Sequence, residues 1–271
     1  MKGLTAGIIG CGNMGSAIAR GLVKKDILSA GAILLNDKDI RRAAALAKET
    51  GCRQEELSSL VSGCGLLIIA VKPQDSGDLL KRISGDITGQ TVVSVMAGVR
   101  IDVITGMLGK EVPVARVMPN MAAFVGESIT CISYNSKVKM TEEIDNIFTG
   151  IGKVLEVDEI FLDGVTALSG SGPAYLFYLA EAMMDAGKEM GLDENVAKEL
   201  VARTLYGSAI LMKDSKISPR DLIKKVASKG GATEAALSVF DEKSVNAIVK
   251  TAILKAKQRS EELSREAGKC L

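Results

Sequence analysis

The chain has 271 residues, 47% of them hydrophobic, which is enough for one large or two ordinary domains with a sizeable core. Its 34 basic and 33 acidic residues nearly cancel, and aromatic residues make up only 3%, which argues against nucleic-acid binding by charge or by base stacking. Histidine is absent, which excludes Ser-His and Cys-His nucleophilic systems and removes the commonest transition-metal ligand, so no metal site is expected.

The sequence also predicts a reducing compartment and no membrane span. The longest apolar run, Leu66 to Val71, is far too short to cross a bilayer. Met1 to Leu4 passes directly into a strand pattern and lacks the layout of a signal peptide. The five cysteines are odd in number and contain no C-x-x-C pair, which argues against a disulfide framework and a zinc site. We therefore expect a cytoplasmic protein.

The first half of the chain alternates short apolar runs with amphipathic stretches. This alternation is typical of an α/β fold with a parallel, doubly wound sheet. Strands are expected over residues 5–9, 32–36, 65–71, 91–95, 114–117, 128–133 and 154–157. Helices are expected between them, notably over residues 14–25, 40–49, 75–83 and 101–108.

After about residue 158 the strand signal stops and helical spacing replaces it. Helices are expected over residues 173–190, 194–213, 219–226, 233–240 and 244–266. We therefore expect an α/β domain over residues 1–158 and an all-helical domain over 159–271. The helical half has little room for a large core of its own. Its small and apolar faces, such as Ala180 and Met183, therefore predict homo-oligomerisation for the half as a whole, with an intrachain core as the alternative for any one residue.

A glycine-rich turn follows the first expected strand and opens the first expected helix. Gly10, Gly12 and Gly15 form a G-x-G-x-x-G pattern, and this strand–turn–helix setting is typical of a Rossmann dinucleotide-binding unit. Gly10 permits the tight turn, Gly12 lets a pyrophosphate approach the backbone, and Gly15 lets helix and strand pack closely. The predicted phosphate-binding turn also includes Cys11, Asn13 and Met14.

The end of the second strand usually distinguishes NADP from NAD, because it meets the ribose 2′ position. Asn36 ends that strand, and with Lys38 or Arg41 it is suited to hold a 2′-phosphate. Asp37 favours the free hydroxyl of NAD instead, and these charges also fit a solvated loop. The pattern favours NADP and leaves NAD open.

Further cofactor contacts are expected where other strands end, because ligands of open α/β sheets lie at that edge. The predicted contacts are Val71, Lys72 and Pro73 after the third strand, Ala97 and Gly98 after the fourth, and Asn120 after the fifth. Small residues after the fourth strand would admit a nicotinamide ring. Lys72 is alternatively an exposed turn lysine, and Asn120 alternatively stabilises its own turn.

Two glycine-rich segments in the second half precede expected helices. The first contains Ser169, Gly170, Ser171 and Gly172, and it predicts a loop whose free N–H groups meet a small anion or polar ring. An ordinary inter-helix turn is the alternative. The second, residues 228–233, suits a small carboxylate at a helix start, and a simple helix cap by Ser228 or Thr233 is its alternative.

Taken in this order, these motifs resemble the pyrroline-5-carboxylate reductase family over essentially the whole chain. The resemblance depends on residues 8–15, 70–74, 116–120, 168–175 and 226–233, of which the last two segments are the most specific. It implies an N-terminal Rossmann domain, a helical dimerisation domain, and often a ring of dimers. It also implies NAD(P)H-dependent reduction of L-1-pyrroline-5-carboxylate to L-proline.

The resemblance assigns the two glycine-rich segments to the substrate. It implies substrate contacts from Ser228, Gly230, Gly231, Ala232 and Thr233, with Ser169, Gly170, Ser171 and Gly172 as another wall of the site. Thr233 would be the catalytic residue that donates a hydrogen bond to the ring nitrogen. A protonated cyclic imine is already an electrophile, so the absence of histidine agrees with this chemistry.

One residue departs from the family pattern. Lys229 stands where the family has a proline, which would otherwise stiffen the substrate loop. Other substrates therefore remain as alternatives: a different cyclic imine, or a small hydroxy acid handled with a lysine such as Lys188 or Lys198. A non-catalytic dinucleotide-binding protein is a third hypothesis.

Overall fold

The structure is a computed structural model, and it describes residues 3–108 and 111–269. The described residues do not include Met1 and Lys2, which belong to the N-terminal segment discussed above, or the fifth cysteine, Cys270. The described strands form one sheet in the order β3-β2-β1-β4-β5-β6-β7-β8. They are β1 Ala6–Ile9, β2 Ile33–Asn36, β3 Arg53–Gln54, β4 Leu66–Ile69, β5 Thr91–Ser94, β6 Val114–Met118, β7 Ser128–Tyr134 and β8 Gly152–Glu156.

The sheet is parallel except at one pair of strands. β7 runs antiparallel to β6, with Ala115 opposite Tyr134, and parallel to β8. This pair departs from the parallel arrangement that the alternation of strands and helices predicts. The connection over residues 119–127 is too short for the crossover that a parallel pair needs, so the chain returns in the opposite direction. The doubly wound α/β class itself is confirmed.

The core lies on both faces of the sheet. Ile8 and Ile68 belong to one cluster of buried residues, and Ile9 and Ile69 belong to a second cluster. Successive side chains of a strand point to opposite faces, so continuously apolar strands require cover on both sides. Helices therefore cover both faces of the sheet, and the carboxyl ends of the strands are left accessible to ligands.

Helices connect the strands and then follow one another to the end of the described chain. They are α1 Asn13–Lys24, α2 Ile40–Thr50, α3 Leu57–Gly63, α4 Ser76–Ile83, α5 Ile101–Leu108, α6 Thr141–Thr149, α7 Leu162–Val165, α8 Gly172–Glu189, α9 Glu194–Asp214, α10 Pro219–Val226, α11 Ala232–Glu242 and α12 Val245–Lys269. Short 3-10 segments cover Ala30–Ala32, Pro73–Asp75, Met121–Val125 and Glu159–Phe161. Within the described ranges, no helix has the length and apolar content needed to cross a membrane.

The sequence did not predict β3, α3, α6 or the one-turn helix α7. β3 is a two-residue, exposed edge strand, so it carries no alternation to detect. α3 is short and rich in serine, which lowers its helical signal. α6 did carry a sequence signal, because Ile144, Ile147 and Phe148 have helical spacing. In the structure these three side chains are fully buried.

By packing, the described residues fall into two units, and the domain boundary expected near residue 158 stays a prediction. One unit consists of the described residues within 3–173 and 256–269, and the other of Ala174–Lys255. Residues just after 158 join the first unit because Leu162 is fully buried against Met118 and Cys131 of the sheet. The second unit is helical, and among the described residues of α10 and α11 none is buried.

Candidate active site

The glycine turn after β1 has the geometry that its sequence predicts. Gly10 has a φ of +101°, and a Cβ placed there would lie 2.6 Å from the carbonyl oxygen of Ala70. A Cβ at Gly15 would lie 1.9 Å from the carbonyl oxygen of Gly10. A Cβ at Gly12 would meet no described atom within 4 Å. The first and third glycines are therefore needed for packing, and the second faces open space.

That open space is a cleft of about 1390 Å³ along the carboxyl ends of β1, β2, β4 and β5. Its lining includes ten of the predicted cofactor residues: Gly10, Cys11, Gly12, Asn13, Met14, Asn36, Val71, Lys72, Pro73 and Ala97. Sequence reasoning missed Arg20, Arg82 and Phe124, which also line the cleft. Arg20 lies on α1 four residues after Ser16, so helical spacing from the glycine turn was the available signal.

Two predicted cofactor residues are absent from the described lining of the cleft. Gly98 has a φ of +75°, and a Cβ there would lie 3.4 Å from the backbone nitrogen of Ser264 on α12. The Asn120 side chain accepts a hydrogen bond of 3.1 Å from the Ala122 N–H and so begins a 3-10 turn. A role in packing or turn formation therefore accounts for both residues, and their contact with cofactor stays a prediction.

The end of β2 is fixed by hydrogen bonds. The Asn36 amide donates to the Glu55 carbonyl at 2.8 Å, which ties the side chain to the edge strand. The Asp37 carboxylate accepts from the backbone N–H groups of Cys11 at 2.7 Å and Asp39 at 2.8 Å. Asn36 and Asp37, which the sequence placed near the ribose, therefore stabilise the loop after β2 and also line the cleft.

Ion pairs surround this part of the cleft. Lys38 Nζ contacts Asp75 at 2.8 Å, and the Arg20 guanidinium contacts Glu49 at 2.6 Å. Arg42 lies 3.7 Å from Asp39, which also pairs with Arg41 and begins α2 as its capping residue. Lys38, Arg20 and Arg42 all line the cleft, and each forms an ion pair with a carboxylate in this structure.

The cysteine in the glycine turn is not a nucleophile. Burial, with the Asp37 carboxylate as a smaller contribution, raises the pKa of the Cys11 thiol to about 12. Its Sγ lies 3.6 Å from the Asn36 carbonyl oxygen. A protonated, buried thiol packs as a small apolar side chain, so Cys11 belongs to the wall of the cleft.

The segment before α8 differs from the predicted loop. Thr166–Gly170 forms a wide helical turn with i→i+5 spacing, and the Ser171 N–H donates to the Thr166 carbonyl at 2.8 Å. Ser169 Oγ contacts the Val165 carbonyl at 3.2 Å. The loop prediction was wrong because α7 continues directly into this turn. Ser169, Gly170, Ser171 and Gly172 are half-buried within it and at the start of α8.

The second glycine-rich segment is a turn before α11. Gly230 has a φ of +73°, and its N–H donates to the Glu234 carboxylate at 2.6 Å. Gly231 precedes the helix, and no side chain caps it, so the alternative of a cap by Ser228 or Thr233 is not what forms. Thr233 is half-buried in the first turn. Lys188, offered above as a catalytic lysine, forms an exposed ion pair with Asp185.

A doubly wound sheet whose glycine turn opens onto a cleft is the architecture of a dinucleotide-binding protein. Residues 5–98 match the family profile described as NADP oxidoreductase, coenzyme F420-dependent. Residues 159–263 match the profile described as pyrroline-5-carboxylate reductase dimerisation. The chain belongs to the pyrroline-5-carboxylate reductase family.

Known proteins support this assignment over the whole chain. The pyrroline-5-carboxylate reductase of Staphylococcus epidermidis is 34% identical over 262 residues, covering 95% of this chain and 97% of that protein. The Staphylococcus aureus protein is 35% identical and covers 94% of this chain and 96% of its own length. A crystal structure of Plasmodium falciparum pyrroline carboxylate reductase with NADP bound is 28% identical, with a TM-score of 0.88, and covers 97% and 99% of the two chains.

Proposed function

We propose that this chain reduces L-1-pyrroline-5-carboxylate to L-proline with a reduced nicotinamide cofactor, and that it uses NADPH in preference to NADH. The observation that carries this proposal is the cleft at Gly12, where a side chain is absent and open space meets the start of α1. The relatives that match over nearly the whole chain are named for this activity.

The cleft fits a dinucleotide. Gly10 and Gly15 fold the turn so tightly that the start of α1 faces the cleft, and Gly12 leaves the backbone accessible there. The N–H groups and dipole of that helix start suit a pyrophosphate. We propose Asn36 and Lys38 for the 2′-phosphate, with Arg42 in place of the predicted Arg41, which is not among the described lining residues. Val71, Lys72, Pro73 and Ala97 contact the rest of the cofactor in this proposal. When bound, the cofactor supplies the hydride.

The chain's own residues bind and protonate the imine. The N–H groups of Ala232 and Thr233 lie in the first turn of α11, where a helix has no acceptor for them, and we propose that they receive the substrate carboxylate. The Thr233 hydroxyl donates a hydrogen bond to the lone pair of the neutral ring nitrogen, which makes the adjacent carbon more electrophilic. As that carbon is reduced, the hydroxyl proton passes to the nitrogen and remains on the product amine, and water returns a proton to the Thr233 oxygen.

The remaining predicted contacts have supporting roles in this proposal. Ser228 contributes a hydroxyl to the substrate carboxylate, and the glycines at 230 and 231 permit the backbone turn that exposes the helix start. Ser169, Gly170, Ser171 and Gly172 contact the substrate from the wide turn and the start of α8. Lys229 is exposed, and the hydrogen bond from Gly230 to Glu234 constrains the loop at a point where the family relies on proline.

Self-association through the helical unit is part of the proposal. The family profile matched by residues 159–263 is a dimerisation profile. Apolar side chains of the unit are exposed in one chain, including Phe177 at 64% and Leu211 at 55%. We propose a dimer, with a ring of dimers as the further assembly. We place the enzyme in the cytoplasm, where free thiols such as those of Cys52 and Cys64 are the normal state.

The test is oxidation of NADPH and of NADH in the presence of L-1-pyrroline-5-carboxylate, followed by the loss of reduced-nicotinamide absorbance. We expect turnover with both cofactors and a higher kcat/KM with NADPH. Turnover confined to other cyclic imines would show that L-1-pyrroline-5-carboxylate is not the substrate. No turnover with any imine would overturn the proposal.

A further inference from the structure

A buried ionic cluster lies beside the wide helical turn and is separate from the cofactor cleft. Arg116 on β6 is 1% exposed, and its guanidinium contacts Glu159 and Asp163, each at 3.3 Å. Among the described residues its Nε has no hydrogen-bond partner. An apolar side chain would fill this space without any desolvation penalty, so the cluster contributes a defined geometry rather than simple burial.

Asp163 is the centre of the cluster. Its Oδ1 accepts hydrogen bonds from Ser260 Oγ at 2.8 Å and Ser264 Oγ at 2.9 Å, as well as from Arg116. Both serines are buried. The Glu159 carboxylate also accepts from the Ile101 N–H at 2.8 Å. Groups from β6, α5, α7 and α12 therefore meet at two carboxylates.

The cluster fixes the helical segment that becomes the wide turn. Asp163 lies in α7, which is only one turn long and continues directly into Thr166–Gly170. Thr166 Oγ1 contacts the Leu162 carbonyl at 2.8 Å, and Ser169 Oγ contacts the Val165 carbonyl. The hydroxyls of the wide turn are thus attached to α7, whose position depends on Asp163.

The other end of the cluster supports the same turn. Arg116 and Met118 lie on β6, and Met118 Sδ would be 3.6 Å from a Cβ placed at Gly170. Turns with i→i+5 spacing are rare and occur mostly as single turns within helices. A turn of this kind needs outside contacts to hold it, and here they come from the strand below it and from α7 beside it.

We propose that Arg116, Asp163, Ser260 and Ser264 are positioning residues for the wide turn that presents Ser169 to Gly172 to the substrate. The inference rests on the proposed function, in which those residues contact the imine. None of the four lines the cofactor cleft in the described part of the chain. Their loss should therefore weaken substrate binding and leave cofactor binding intact.

The test variant is Ser260→Ala with Ser264→Ala, because it removes two hydrogen bonds and leaves the ion pairs in place. The matched control is Ser62→Ala with Ser84→Ala, an exposed and a half-buried serine whose hydroxyls contact carbonyls three or four residues earlier in the chain. We expect the KM for L-1-pyrroline-5-carboxylate to rise roughly tenfold, which is about the effect of losing one hydrogen bond to the substrate, with kcat within about twofold. The Kd for NADPH should match that of the wild type.

A second readout does not depend on substrate. Hydrogen exchange of the peptide covering residues 162–171 should become faster in the test variant and stay unchanged in the control, because the Ser171 N–H belongs to the wide turn. If the double variant does not fold, Ser264→Ala alone is measured in the same way. If the wild type does not reduce the imine, the proposed function fails and exchange alone decides whether the cluster holds the turn.

Two results would overturn the inference. One is an unchanged KM together with unchanged exchange over residues 162–171. The other is a loss of NADPH affinity as large as the loss of substrate affinity, because the cluster would then support the whole unit rather than the turn.

Discussion

The backbone N–H of Cys11 donates a hydrogen bond of 2.7 Å to the carboxylate of Asp37, which joins the phosphate-binding turn to the end of β2. The second carboxylate oxygen accepts from the Asp39 N–H. A negative charge is thus fixed where the cofactor ribose is expected. Lys38 and Arg42 line the same cleft with positive charge. The choice between NADPH and NADH therefore depends on a local balance of charges.

Replacing Asp37 should shift that balance. In Asp37→Asn the amide oxygen can still accept from Cys11, but the charge that repels a 2′-phosphate is gone. We expect the NADPH/NADH ratio of kcat/KM to rise about tenfold, since 1.4 kcal/mol corresponds to that factor. Asp78→Asn, which removes a different carboxylate from the cleft lining, is the control. An equal ratio in wild type and Asp37→Asn would contradict the assignment.

Substitution by alanine should lower stability at Gly15 and weaken cofactor binding at Gly12. Gly15→Ala places a methyl group against the Gly10 carbonyl oxygen, so we expect a clear fall in melting temperature. Gly12→Ala meets no described atom nearby, so its melting temperature should equal that of the wild type while its Kd for NADPH rises roughly tenfold or more. Circular dichroism and fluorescence titration measure the two quantities. Unchanged NADPH affinity in Gly12→Ala would remove the turn from the cofactor site.

Loss of the Thr233 hydroxyl should affect chemistry more than cofactor binding. We expect Thr233→Ala to lower kcat by about 10²-fold, the lower range for a positioned proton donor, with the Kd for NADPH unchanged. Thr233→Ser, which keeps the hydroxyl, should recover most of the rate. Ser238→Ala is the control, because Ser238 is exposed on the same helix and its hydroxyl contacts only the Ala235 carbonyl. Full activity in Thr233→Ala would exclude it as the donor.

The helical unit should depend on self-association for stability. It buries few side chains within one chain, and Leu200 and Tyr206 on α9 are exposed. Because association stabilises a folded state by mass action, the melting temperature should rise with protein concentration. Sedimentation at the same concentrations should show a dimer or a larger assembly. A monomer with a melting temperature independent of concentration would contradict this prediction.

The buried thiols predict how stability changes at alkaline pH. The pKa of Cys11 is raised from its ordinary value of 9.0 to about 12, mainly by burial, so the folded state resists losing this proton. The stabilisation is fully present below about pH 9 and is lost as the pH rises toward the folded value, because only the unfolded chain ionises readily in that range. The melting temperature of the wild type should fall more steeply between pH 9 and 11 than that of Cys11→Ala. Parallel curves for the two proteins would show that Cys11 makes no such contribution.

The sequence by itself determined the α/β class, the glycine turn and the family. Apolar runs of four to six residues separated by amphipathic stretches have a single stable arrangement, a sheet covered on both faces. Gly10, Gly12 and Gly15 are informative because their spacing has a direct steric cause in the turn. Local patterns of this kind are read from neighbouring residues alone.

Only the tertiary structure decided the features that depend on distant residues. The hydrogen bonds of the Arg116 cluster join residues far apart in the chain, such as Asp163 and Ser264 at a separation of 101 residues, and no local pattern marks them as partners. The sequence around the wide turn at Thr166–Gly170 predicts a loop, because Ser169, Gly170, Ser171 and Gly172 are residue types that favour loops. Only the structure shows that α7 leads directly into this turn. Gly98 likewise has its packing partner on α12, far along the chain. Burial and long-range hydrogen bonds override local preference at these positions.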